Sequence, residues 1–124
     1  MPYALCAGIC VAVGYEYIYF FGGDTGNTAQ KVEKLIAAIN AETNESIKNK
    51  LILEKNALQL SHPGFNRHVI QFNTTTNTCF VIDTIPFDAP VTTSVLNWGS
   101  DLVLCGGEIR RGVRSPIIQI GRYI

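Results

Sequence analysis

Two glycine pairs, each following a short β-prone run, restrict this chain more than any other feature. The first run is Ile18-Tyr19-Phe20-Phe21-Gly22-Gly23 and the second Leu102-Val103-Leu104-Cys105-Gly106-Gly107. Strand interiors disfavour adjacent glycines, so each pair marks a turn or a close backbone approach. The pairs stand 84 residues apart; without residues 28–62, 35 positions of helical character, the spacing falls to 49. One unit of about fifty residues therefore recurs around an insertion.

The order of elements supports that reading. Residues 5–13 are small, apolar and β-branched, Gly14 ends them, and the aromatic run 17–21 follows, giving a hairpin. Val32, Leu35, Ile36 and Ile39 then fall at i, i+3, i+4 and i+7, the stripe of an amphipathic helix with Asn27 or Thr28 as N-cap. A second helix starts near Thr43-Asn44, with Ile47, Leu51, Ala57 and Leu58 inward, and His62-Pro63-Gly64 stops it. Strand character returns at 68–72 and 79–82, separated by the polar tract 73–78. From Val91 the opening arrangement repeats, with strands at 92–98 and 102–105 and a last one at 116–120.

At 124 residues this is one domain with room for a single core. Ten basic and ten acidic side chains leave no net charge, which points to neither nucleic acid nor an anionic membrane. The apolar stretch 4–14 is far short of the roughly 20 residues of a spanning helix. It has no preceding Lys or Arg and runs into an aromatic strand, so it reads as structure and gives no cellular address. Cys6, Cys10, Cys79 and Cys105 form no zinc pattern. Cys6 and Cys10 would share one face of a strand as small apolar residues, with a disulfide or a reactive thiol as the alternatives.

Strand, strand with glycine pair, loop, strand, turn, strand is the order of a β-propeller blade, and kelch blades repeat at about 50 residues. Where kelch repeats usually carry Tyr and Trp, this chain has Phe72 and Cys79. Three motifs sharpen the likeness: His62-Pro63-Gly64-Phe65-Asn66, then Pro86-Phe87-Asp88-Ala89-Pro90-Val91-Thr92-Thr93, and Gly107-Glu108-Ile109-Arg110-Arg111-Gly112-Val113-Arg114. Together with the helical insertion after a glycine pair, these resemble the N-acetylneuraminate (sialic acid) mutarotases, especially their cyclically permuted branch. The resemblance spans nearly the whole chain. It implies a mainly β fold: about two kelch-type blades, one at 1–27 and 63–87, the other, incomplete, at 88–124, with the helical insertion at 28–62. It also implies a catalytic pair, Glu108 and Arg114. Arg111 stands where the family usually has proline.

The chemistry suits those residue types. Anomerisation takes a proton from the anomeric hydroxyl and delivers one to the ring oxygen. A carboxylate such as Glu108 can carry both. Arg114 can clamp the sugar carboxylate through a two-pronged charge-assisted bond. Such a reaction requires no cofactor and no metal. The plainer reading is an ion pair that braces the loop, with Arg110 and Arg111 solvated. His62 reads as a helix stop and His68 as a strand residue with a backbone partner, rather than as further acid/base groups.

Two blades cannot close a ring, so the chain reads as the C-terminal part of a longer enzyme. It is expected to be inactive alone and to need the remaining blades or a homo-oligomeric partner. The family works in the bacterial periplasm, an address implied by resemblance only. A non-catalytic kelch interaction module is the first alternative. The second is a flavodoxin-like FMN-binding protein, since Asp24-Thr25-Gly26-Asn27-Thr28 before a helix resembles a phosphate loop.

Overall fold

The computed structural model describes residues 1–122. It is mainly β: a four-stranded and a three-stranded antiparallel sheet, with two helices inserted. This is consistent with a partial propeller-like fold. The first sheet, in sequential order, contains β1 (Ile9–Val13), β2 (Tyr17–Phe21), β3 (His68–Asn73) and β4 (Thr78–Thr84). The second contains β5 (Val95–Trp98), β6 (Asp101–Arg110) and β7 (Val113–Arg122). Every strand pair is antiparallel. A flavodoxin needs parallel strands with crossover helices, so that alternative fails.

The chain divides into two compact units. One is Gly26–Pro63; the other is Met1–Thr25 together with the chain from Gly64 onward. In the helical unit, α1 (Asn27–Ala41) packs on α2 (Glu45–Leu60). Asn44 caps α2, its side chain accepting from Ser46 N at 3.0 Å and Ile47 N at 3.3 Å. For α1, by contrast, neither Asn27 nor Thr28 is the cap. Gly26, in a left-handed conformation, takes that place and offers no side-chain acceptor. Val32 is buried, with Leu35, Ile36 and Ile39 partly so, but Ile47 and Ala57 of the expected α2 stripe are exposed. Two helices alone have too little bulk to cover both stripes.

In the β unit, one core joins the sheets. Val13 and Phe21 of the first meet Val95, Leu102 and Leu104 of the second, all at most 9% exposed. Each such side chain stabilises by roughly 1.5–3 kcal/mol on burial. Asn97 Nδ2 adds a bond to Ala12 O at 2.9 Å.

The glycine pairs occupy matching settings. Gly22 and Gly23 have φ of 64° and 89°, Gly106 and Gly107 of 59° and 105°. The residue after each pair closes a two-bond bridge to the segment before the first strand of its sheet. Asp24 bridges Cys6 at 2.8 and 2.9 Å, and Glu108 bridges Val91 at 2.8 and 2.9 Å. The next residue is left-handed in both cases, Ala7 at φ 57° and Thr92 at φ 54°. Cys6 consequently lies outside β1, and the chain turns at Ala7 before Cys10, so the two cysteines do not share a strand. All four cysteines are free thiols.

One difference separates the pairs. Gly22-Gly23 ends β2, whereas β6 runs through Gly106-Gly107 with a shift of register there. The glycines admit a close approach, not a stop. A Cβ on Gly107 would lie 2.7 Å from Val91 O and 2.8 Å from Pro90 Cβ.

Gly107→Ala should therefore lower stability by about 3 kcal/mol or more, from both strain and collision. Gly14→Ala, at φ 65° with nothing within 4 Å, should cost only about 1–2 kcal/mol; thermal unfolding of both variants compares them. At the far end of β6, Arg122 Nε donates to Asp101 Oδ1 at 2.7 Å, and that hydrogen bond holds the Asp101 carboxyl below its ordinary range. Because the folded value is the lower one, the pair's contribution is complete above the unfolded aspartate value and fades as pH falls through the folded one. Arg122→Ala should raise the Asp101 titration midpoint, read by carboxyl carbon NMR.

Candidate functional site

Three separated motifs meet around the C-terminal half of β6. The Ala89-Pro90-Val91 segment is buried, and Val91 forms the bridge to Glu108. Thr93 Oγ1 donates to Cys105 O at 2.6 Å and fixes the same segment one residue before the glycine pair. From the first motif, Gly64 faces Ile109 O, with 3.4 Å left for a Cβ. Asn66 N donates to Gly23 O at 2.8 Å, so this motif also reaches the first glycine pair. Arg67, just beyond it, pairs with Asp88 at 2.8 Å, and Gln119 Nε2 donates to Asp88 O at 2.8 Å.

Glu108 and Arg114 lie directly opposite each other on β6 and β7. Directly paired residues of antiparallel strands project to the same face. Glu108 is half-buried and Arg114 exposed. Gly112 N donates to Glu108 Oε1 at 2.6 Å, so the carboxylate holds the tight turn that joins the two strands. Among the described residues neither Glu108 nor Arg114 makes an ion pair. The bracing role weighed from the sequence is thus filled by a backbone hydrogen bond and leaves the guanidinium of Arg114 without a carboxylate. Arg110 and Arg111 are exposed at the turn.

Among the cavities of the β unit, two bear on the site. The larger, about 380 Å³, is apolar and lined by Phe21, Ile85, Leu102 and Leu104 among others; neither Glu108 nor Arg114 borders it. The smaller, about 270 Å³, is walled by Arg67, Asp88, Ile109, Ser115 and Gln119. Ile109 and Ser115 adjoin the candidate pair in sequence, and this cavity carries charged groups of both signs. It suits a polar solute better than the larger one.

A second polar cluster has no signal in the sequence. Tyr3 OH donates to Asn66 Oδ1 at 3.2 Å and lies 2.6 Å from His68 Nδ1, joining residues 63 and 65 positions apart. Asn66 Nδ2 is buried with no partner among the described residues. His68 is therefore tied to a phenol rather than to a backbone group. Only Asn66 of this cluster falls in a motif.

No protein-family model matches the chain, and no curated protein does. Among solved structures it is similar, over 100% of its length, to one titled "Structure of YjhT", with a TM-score of 0.73 and 15% sequence identity. The match covers 37% of that chain. At that identity the likeness is one of fold.

The Glu108 bond to the turn can be tested by itself. Glu108→Ala should speed amide exchange at Gly112 about ten- to a hundredfold, the loss of one charged hydrogen bond. Glu108→Gln keeps an acceptor and should change it far less.

Proposed function

We propose that the Glu108–Arg114 face of β6 and β7 serves a sialic acid mutarotase, interconverting the α and β anomers by acid/base ring opening. The observation that carries this reading is the convergence of the three motifs on the two strands where Glu108 and Arg114 stand opposite each other. The likeness to the mutarotase family, drawn from those motifs, supplies the reaction; the fold likeness to YjhT is compatible with it.

On this reading the two sheets are propeller blades, the second incomplete, and the helical unit is the family's insertion. Arg114 holds the sugar carboxylate. Glu108 takes the proton from the anomeric hydroxyl and returns one at the ring oxygen. Its bond from Gly112 sets the carboxylate's orientation while leaving Oε2 to face the sugar. Because the chain spans only 37% of YjhT's length, the remaining walls of the site belong to further sheets.

The non-catalytic kelch module draws support from the same Gly112 bond, which gives Glu108 a structural task. Two measurements separate the readings. Titration with N-acetylneuraminate should shift the Arg114 side-chain and Gly112 amide resonances, and its neutral methyl ester should not. An equal response to both, or none, overturns the substrate assignment. In a closed propeller carrying this segment, Glu108→Gln should slow anomer exchange by about 10²–10⁴-fold with the fold intact; an unchanged rate would leave only the structural role.

A further inference from the structure

The second sheet presents an apolar face to solvent, and the repeat identifies what such a face is built to meet. Strand registers superimpose the two sheets. Val13 pairs with Tyr17 as Trp98 pairs with Asp101, and Val11 pairs with Tyr19 as Leu96 pairs with Val103. Phe21 corresponds to Cys105 and, through Tyr19↔Gln71 and Val103↔Ile120, Val69 corresponds to Ile118. In the first sheet this face is covered: Val13 is 5% and Phe21 6% exposed, with Val11, Tyr19 and Val69 packed beside them. Its cover is the set Val95, Leu102 and Leu104 from the second sheet. In the second sheet the corresponding face is bare. Leu96 is 49%, Trp98 74%, Ile118 61% and Ile120 67% exposed. Adjacent rows Leu96–Val103–Ile120 and Cys105–Ile118 make it one continuous patch.

The same registers identify the complementary surface. Val95, Leu102 and Leu104, the covering set, correspond to Cys10, Ile18 and Phe20 on the opposite face of the first sheet. Cys10 is exposed, and Ile18 and Phe20 are half-buried. One chain therefore carries both halves of the contact, a bare face on its second sheet and a covering face on its first.

We infer that a second copy of this chain docks on the face formed by Leu96, Trp98, Val103, Cys105, Ile118 and Ile120, offering Cys10, Ile18 and Phe20. The contact is head-to-tail. Repeated, it either closes into a ring or extends without limit. Self-association through this one contact is the behaviour that follows. The inference stands on the repeat and the core, not on the proposed activity.

Trp98 is the only tryptophan, so its fluorescence reports on this face. Sedimentation should give species larger than a monomer, and dilution should shift Trp98 emission to the red as copies separate. Trp98→Glu should weaken association at least tenfold, and so should Cys10→Glu, each at an exposed position where the fold tolerates charge. Mixing the two variants provides the decisive result. Head-to-tail docking restores one good contact per pair, so the mixture forms a heterodimer that neither variant forms alone. A wild-type monomer at 100 µM, on the order of a weak complex's Kd, overturns the inference. So does association that survives both substitutions, or a mixture that fails to pair, which would mean a face-to-face dimer or a different polypeptide as the cover.

Discussion

The buried Ala89-Pro90-Val91 segment is the constraint on which the β unit depends. It passes between the two glycine pairs. A Cβ on Gly22 would stand 2.6 Å from Pro90 O, and one on Gly107 would meet Val91 O from the other side. Pro90 has no N–H to satisfy, and both polar backbone groups of Val91 are spent on Glu108. A connector with no regular structure can thus be buried without stranding a donor. Its position determines how closely the two sheets approach, and hence whether Val13 and Phe21 reach Leu102 and Leu104.

The candidate site inherits its geometry from that contact. Glu108 is held by its backbone at Val91 and by its side chain at Gly112, two anchors on one residue. The register shifts on either side of it in β6 bring Arg114 opposite. A group held this way loses little freedom when it meets a solute, which is the physical value of preorganisation. Thr93 and Asp88 contribute indirectly, by tethering the connector to β6 and β7.

Much of this was legible in the sequence because it rests on local chemistry. The glycine pairs, the helical stripe from Val32 to Ile39, the start of the second helix near Thr43-Asn44 and the turn after Asn73 all follow from residue type and spacing. What was not legible depends on distant partners. Nothing near Gly106-Gly107 indicates that β6 continues through the pair, since the reasons are the carbonyls of Ser115 and Val91. Ala7 and Thr92 have side chains that disfavour positive φ, and their conformation is imposed by the bridges beside them. The helix start went to Gly26 rather than Asn27 or Thr28 for a similar reason, a backbone conformation that only glycine adopts cheaply. The Tyr3–His68 contact spans most of the first sheet's sequence and leaves no periodic trace. Of the candidate site, the family resemblance suggested Glu108 and Arg114; that they stand opposite each other, and that Glu108 holds the turn at Gly112, became evident only from the structure.

The chain leaves the first sheet after Gly23 and re-enters it at Asn66, and these two residues are joined by a single hydrogen bond of 2.8 Å. The 42 residues between them therefore begin and end at nearly the same point in space. Within that detour Gly26–Pro63 is a compact unit of its own: exchanging it for a four-residue linker would keep the Asp24–Cys6 bridge and Gly64 in place and would reduce the closure entropy by about 1.5 kcal/mol. Insertions of any length can be accommodated at that doorway, which gives the scaffold a place to vary without redesigning its strands.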